Sequence, residues 1–406
     1  MSPLARQPWL RVCLVLFAVG WGANQFAPLL LVYEAQQHLS EQLTTSMFAA
    51  YVLGLMPALL IAARLSGHFG HRAILRPVML LAILASAILL LGHWSEAALF
   101  IGRVLYGVVT GAAMAPGTTW VKELSTDHPA GTGARRAAIA LSAGFMGGPL
   151  ISGFVAQWLP APEILSYIVH IALMAAVTAV AWTTPETGAT TDLHDPYGTP
   201  ANRHFALSGA FWSGIAPAAP WVFGCATVGL VVLPGVVREQ VGSWAIAFSG
   251  LMAGVTLGTG VLIQQPARRL EARRPGLTTQ AGMAFAVLGT LLAVLVTATD
   301  RWQLVPVAAM ALGAAYGLGL VGGLTAVERQ SPSHQLAMTN AVFYCLTYVG
   351  FFVPTIVTTL AEQMGASRGI AVFVALAAVT AAWVVINGRE PDQVSGIGER
   401  TRGSRA

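Results

Sequence analysis

Residues 1–33 read MSPLARQPWLRVCLVLFAVGWGANQFAPLLLVY. A basic start runs into an apolar stretch that carries no charge between Arg11 and Glu34. A cleaved signal peptide has a shorter apolar core and a small-residue cleavage site. About 20 mostly apolar residues suffice to cross a bilayer as a helix. The stretch therefore reads as a first transmembrane helix, and the same pattern recurs along the chain. Twelve candidate spans follow, roughly 10–33, 45–63, 77–93, 97–119, 137–159, 164–183, 206–234, 244–264, 279–298, 303–325, 338–360 and 369–387. Connections of at most roughly 20 residues leave no room for a soluble catalytic domain.

Composition agrees. Hydrophobic residues make up 55% of the 406 positions and charged residues 10%, against about 25% charged in a soluble domain. So few charges cannot coat a water-facing surface of this size. The net charge of +5 matters less than its placement. With the N-terminus on the cytoplasmic side, 18 of the 22 Lys and Arg residues fall on the inner side. Arg238, Arg301 and Arg368 fall outside, and Arg103 lies within a span. That asymmetry follows the positive-inside tendency and requires an even number of spans. Eight tryptophans sit at predicted span ends, where amphipathic rings favour the headgroup level. The three cysteines, Cys13, Cys225 and Cys345, lie in apolar segments with no metal-site spacing and read as buried hydrophobes. Arginine outnumbers lysine 21 to 1, an association with GC-rich bacterial genomes. The expected location is a bacterial plasma membrane, multi-pass, with both termini cytoplasmic.

The chain also repeats itself. Glu34 and Glu239, Arg64 and Arg269, Glu123 and Glu328, and Pro149 and Pro354 are each 205 residues apart. Each match sets one span on the span six later, which predicts two six-helix halves. The expected organisation is an N-terminal bundle over 1–184, a polar cytoplasmic linker over 185–205, a C-terminal bundle over 206–388 and a cytoplasmic tail over 389–406.

Four segments carry a family resemblance. The loop ARLSGHFGHRAILRP, Ala63 to Pro77, resembles the loop motif Gly-x-Leu-x-Asp-Arg-x-Gly-Arg-Arg of the major facilitator superfamily. Leu65, Gly70 and Arg72 match, whereas Gly67 stands at the family's Asp position, so the conformational lock attributed to that Asp is in doubt. RVLYGVVTGAA from Arg103 to Ala113 is similar to the family's fourth-span Arg-x-x-x-Gly pattern. GFMGGPLISG from Gly144 to Gly153 resembles the fifth-span motif of the drug/proton antiporter branch. Pro185-Glu186-Thr187 matches a short tag after span six. The resemblance covers essentially the whole chain. It implies an all-α membrane fold of twelve helices in two six-helix bundles and transport by alternating access, and the fifth-span motif implies proton-coupled export.

Candidate residues divide by chemistry. No Asp or Glu lies deep in a predicted span, although proton-coupled transport generally uses an intramembrane ionisable group. The proton-coupling candidates are Glu34, Arg103 and His170. Arg103 cannot release its proton, but it can tune a carboxylate, with Glu34 as the expected partner. His170 has the intrinsic acidity for proton handling, although a hydrogen-bonded packing role is the leading reading for it. The substrate-cavity candidates are Trp21, Asn24, Gln25, Arg103, Trp221, Tyr316, Asn340 and Tyr344. With Tyr51 and Tyr348 they outline an aromatic cavity with few polar anchors, which suits lipophilic or amphipathic substrates. The conformational candidates are Gly70, Arg72, Gly107, Gly111, Gly144, Gly148, Pro149 and Gly153. Small residues four apart let helices approach closely, and Gly148-Pro149 invites a kink.

The expected function is secondary transport, most simply proton-coupled export of a small lipophilic or amphipathic molecule. The alternatives are import of a small nutrient on the same fold, or a polytopic membrane protein that does not transport. No P-loop for ATP is present. The expected partners are a small-molecule substrate, protons and membrane lipid, with no nucleic acid, metal or cofactor. A monomer is the default oligomeric state, and the chain is not expected to be an enzyme.

Overall fold

A computed structural model describes residues 7–129, 131–187, 204–332 and 335–387, with the backbone alone at 63, 64, 66–68 and 337. The tail expected at 389–406 and most of the linker lie outside the described residues, as does the side chain of His68. Among the described residues, twelve helices are long and apolar enough to cross a membrane. They are α1 (Pro8–Gln36), α2 (Glu41–Ala62), α3 (His71–His93), α4 (Glu96–Glu123), α5 (Thr132–Trp158), α6 (Pro162–Ala181), α7 (Ala216–Val236), α8 (Arg238–Arg273), α9 (Leu277–Thr299), α10 (Trp302–Gln330), α11 (Met338–Met364) and α12 (Ala366–Asn387). They form two six-helix bundles. The face bearing the connection after α6 is called the linker face, and the opposite one the far face.

The internal repeat is physical. In the first bundle α4 packs on α2 through Gly107 and Gly111. A Cβ built on Gly107 would lie 1.9 Å from the Tyr51 carbonyl oxygen, and one on Gly111 would lie 2.4 Å from that of Leu55. In the second bundle α10 packs on α8 through Gly313 and Gly317, whose Cβ positions fall 2.2 Å from the carbonyl oxygens of Thr256 and Gly260. Only glycine lets the backbones approach this closely.

Prolines set the bends. Pro28 has no N–H to offer the Asn24 carbonyl, and α1 divides into two helical pieces, Pro8–Asn24 and Phe26–Gln36. Pro149 likewise leaves the Phe145 carbonyl without its helical donor, and Pro354 has no N–H to offer Gly350. In α7 a π-helical turn over Val228–Val232 precedes Pro234.

The largest boundary difference from the sequence expectation is at the seventh crossing, which starts at Ala216, not 206. Residues Gly209–Gly214 form a separate short helix, whose Phe211 packs with Ile215, Val327 and Phe343. The early apolar stretch is a foot packed under the second bundle, cut off by Gly214 and Pro217.

Candidate functional site

The two bundles meet along a seam. From the far face inward, Glu34 pairs with Arg238 at 2.6 Å. Gln42 Nε2 donates to Thr359 Oγ1 at 3.0 Å, and the Thr45 and Thr358 hydroxyls lie 3.2 Å apart. Gln157 Nε2 donates to the Ser243 carbonyl at 2.7 Å, while its Oε1 accepts from Ala247 N at 3.1 Å. Deeper, Gly153 meets Gly250 backbone to backbone, 2.9 Å from its ideal Cβ to the Gly250 Cα. Phe48 stacks on Phe351 at 5.2 Å.

Beneath this seal lies a central cavity lined by Asn24, Tyr51, Phe145, Phe223, Ala226, Thr227, Leu230, Leu257, Tyr316, Tyr348 and Phe351. It leaves about 10 Å³ to the centre of a water molecule, room for roughly one water. Substrate entry therefore requires the bundles to separate. Its two non-aromatic polar side chains are pinned in matching ways. Asn24 Nδ2 donates to the Phe145 carbonyl at 3.4 Å, and Thr227 Oγ1 donates to the Gly350 carbonyl at 3.1 Å. Pro149 leaves the Phe145 carbonyl without its helical donor, whereas the Gly350 carbonyl also accepts from Val353 N in a 3-10 turn.

The structure sorts the cavity candidates. Asn24 and Tyr316 line the void. Trp21 is buried beside it, its ring edge-on to Phe17 at 5.8 Å. Gln25 is fully buried, and its carbonyl accepts from Ser152 Oγ at 2.7 Å. Trp221 packs against the apolar core of the second bundle and is not a lining residue. Asn340 and Tyr344 sit half-buried on α11 toward the linker face. The sequence reading passed over Phe145, Phe223, Phe351 and Thr227, whose residue types match ordinary core packing.

Arg103 is fully buried, and its partners correct the expected pair with Glu34. Its Nη1 donates to the Ala23 carbonyl and its Nη2 to the Phe48 carbonyl, both at 3.0 Å. The guanidinium lies 4.7–5.4 Å from the ring centroids of Tyr51, Phe26 and Phe48, within cation–π range. Glu34 instead faces Arg238 of the other bundle, while its Oε1 accepts from Thr44 Oγ1 of α2 at 2.7 Å. Arg238 follows at the far end of α7 and claims the carboxylate.

His170 is fully buried in a closed set within the first bundle. Nε2 lies 3.0 Å from the Ala18 carbonyl, an obligate acceptor, so Nε2 carries the hydrogen. Nδ1 then accepts from Ser86 Oγ at 2.8 Å. This neutral tautomer is satisfied on both nitrogens and does not reach the cavity.

The loop motif is rebuilt around Glu186. Gly70 has φ +80° and opens α3. Glu186 accepts from His71 N at 3.0 Å and from Arg72 N at 2.8 Å, capping donors that a helix start leaves free. Glu123 accepts from His71 Nε2 at 3.0 Å and from Thr187 Oγ1 at 2.7 Å. In the second bundle Glu271 plays the matching part, accepting from Gly276 N and from Arg329, both at 2.9 Å. In the fifth-span motif, Gly144 and Gly148 seat α5 on the Phe17 and Trp21 carbonyls of α1, and Gly153 serves the seam.

Twelve membrane helices in two bundles with a cavity at their seam define a transporter architecture. The Major Facilitator Superfamily model matches residues 12–353, and the chain belongs to that superfamily. No curated protein sequence matches it. It is similar in fold to the peptide transporter POT at TM-score 0.78 and 12% identity, covering 94% of both chains. A POT family transporter in complex with 5-aminolevulinic acid gives 0.74 and 12%, covering 93% of this chain and 94% of that one. The nucleoside transporter NupG gives 0.72 and 11%, covering 94% and 99%. At such identities the likeness speaks for the fold alone.

Proposed function

We propose that this chain is a secondary transporter that exports a small lipophilic or amphipathic molecule by alternating access, driven by protons. The observation that carries the substrate class is the lining of the central cavity. Six of its eleven residues are Tyr or Phe, and none is charged. Apolar pockets with a few placed polar groups suit such ligands. Export and proton drive rest on the resemblance of the fifth-span segment Gly144–Gly153 to the antiporter motif. In this reading the chain has two domains, 1–184 and 206–388, joined by a linker over 185–205. The excess of basic residues on one side supports a cytoplasmic linker face with both termini and the tail at 389–406 cytoplasmic, and the excess of arginine over lysine supports a bacterial source. In this arrangement the described conformation is sealed toward the outside by the Glu34–Arg238 pair and its neighbours.

The test is dye efflux from cells lacking their own exporters, with and without the protein, before and after the proton gradient is collapsed. Efflux that needs both the protein and the gradient supports the reading. Efflux indifferent to the gradient refutes proton drive. A second reading, uptake of a small polar solute, draws on Asn24 and the hydroxyls of Tyr51, Tyr316 and Tyr348 at the cavity. Accumulation of a labelled nucleoside or dipeptide would favour it.

A further inference from the structure

A recess of about 660 Å³ opens on the linker face of the first bundle, between the start of α3 and the residues that follow α6. Arg72 and Arg76 form its basic side, and Phe69, Pro77, Leu80 and Trp182 form its apolar side. The two arginines are one turn apart on α3, which sets their Cβ atoms about 5–6 Å apart on one face of the helix. Glu186 is the one carboxylate in the lining. Its oxygens already accept from His71 N at 3.0 Å and from Arg72 N at 2.8 Å, so its charge is directed at the helix start. Two guanidiniums against one engaged carboxylate leave the recess positive.

The two arginines are held differently. Arg76 is anchored: Nη2 and Nε donate to the Trp182 carbonyl at 2.6 and 3.2 Å, and its guanidinium carbon lies 4.9 Å from the Trp182 ring centroid. Arg72 is not. Its Nε is buried with no partner among the described residues, and a buried polar atom left unsatisfied calls for an explanation. A guanidinium offers a planar fork of donors that matches the oxygens of a phosphate. The apolar side indicates what carries that phosphate. Trp182 ends α6 with its ring partly exposed, as tryptophans do at the headgroup level. Phe69 and Leu80 are exposed, and Leu84 and Leu91, also exposed, continue along α3 from Leu80. An apolar track thus leads from the guanidiniums into the depth of the membrane. A soluble phosphate has no use for such a track, whereas the acyl chain of a phospholipid lies along it.

We propose that this recess is a binding site for an anionic phospholipid, its phosphate held between Arg72 and Arg76 and one acyl chain lying along Leu80 and Leu84. Basic pockets at helix ends hold anionic headgroups in this way. A zwitterionic headgroup fits less well, because its ammonium finds only Glu186, which the helix start already occupies. The inference depends on neither the direction nor the drive of transport. Binding has a structural effect. Arg76, Trp182 and Glu186 are the contacts that fasten α3 to the end of α6. A phosphate shared by Arg72 and Arg76 adds an anion to that junction and strengthens it.

The test is thermal melting of the full chain in dodecyl maltoside, titrated separately with dioleoyl phosphatidylglycerol, dioleoyl phosphatidylcholine and sodium phosphate. Phosphatidylglycerol is expected to raise the melting temperature by a few degrees and to saturate, as a ligand of the folded state does. Phosphatidylcholine and sodium phosphate are expected to leave it unchanged. In Arg72→Gln the buried Nε has no partner to lose, so the melting temperature without lipid should hold while the rise with phosphatidylglycerol disappears. Leu84→Glu, at an exposed position on the track, should diminish the same rise with both arginines intact. An equal rise with phosphatidylcholine would overturn the proposal, because the site would then be blind to charge. A saturable rise with sodium phosphate that phosphatidylglycerol does not exceed would assign the recess to free phosphate and overturn the lipid. A full rise in either variant would refute the placement.

Discussion

Charge removal at Glu34 is expected to open the far face. The carboxylate joins the bundles through Arg238 at 2.6 Å, its side chain 9% exposed against 44% for the arginine. The half-exposed guanidinium keeps solvent screening in play, so the contact falls near the top of the surface range, about 1 kcal/mol. In Glu34→Gln the Thr44 hydroxyl still has an oxygen to donate to, and the loss is confined to the pair across the seam. That pair exists only while the far face is closed. Its removal raises the ratio of open to closed forms by about fivefold. The assay is labelling of a cysteine at Leu230, a buried cavity-lining position, in a background without Cys13, Cys225 and Cys345. An impermeant maleimide is applied from the far face alone. Glu34→Gln should label about five times faster, and the swap Glu34→Arg with Arg238→Glu should return the slow rate. Labelling that is unchanged or slower in Glu34→Gln would refute the latch.

Three further outcomes follow from the packing. Arg103→Ala forfeits two charge-assisted hydrogen bonds and three ring contacts, and should cost roughly 3 kcal/mol of stability along with all flux, read by melting and vesicle transport. Pro149→Ala restores an amide N–H to meet the Phe145 carbonyl, which straightens α5 and frees Asn24. Ethidium flux should fall severalfold while the melting temperature holds or rises, and unchanged flux would remove the bend from the mechanism. Gly250→Leu places a side chain where the Pro149 carbonyl oxygen lies 2.6 Å from the ideal Cβ. It should wedge the seam open and speed labelling at Leu230, and slower labelling would contradict the assigned contact.

The span pattern was legible because lipid imposes one rule on every crossing, an apolar run of fixed length. Where it misled, at 206–215, the apolar residues were amphipathic, and a hydropathy window does not distinguish a packed foot from a crossing. Arg103 was legible as a lone charge in an apolar run, but its partners were not, since backbone carbonyls leave no mark in a sequence. The partner of Glu34 was missed because the repeat aligned Glu34 with Glu239, and the residue that reaches across the seam is its neighbour Arg238. The lining phenylalanines carry no signal that separates them from core.

The Glu186 cap has a consequence for biogenesis. On the linker face the first bundle is closed by the last residues of its own segment. Arg11 donates to the Thr183 hydroxyl, Arg76 to the Trp182 carbonyl, Trp120 to the Pro185 carbonyl, and His71 and Arg72 to Glu186. Spans one, three and four are therefore fastened only when residues 182–187 emerge from the ribosome, at which point all six helices are already available. The clasp can close before α7 leaves the ribosome, so the N-terminal half can complete its assembly during synthesis and present a finished surface for the second half to dock against.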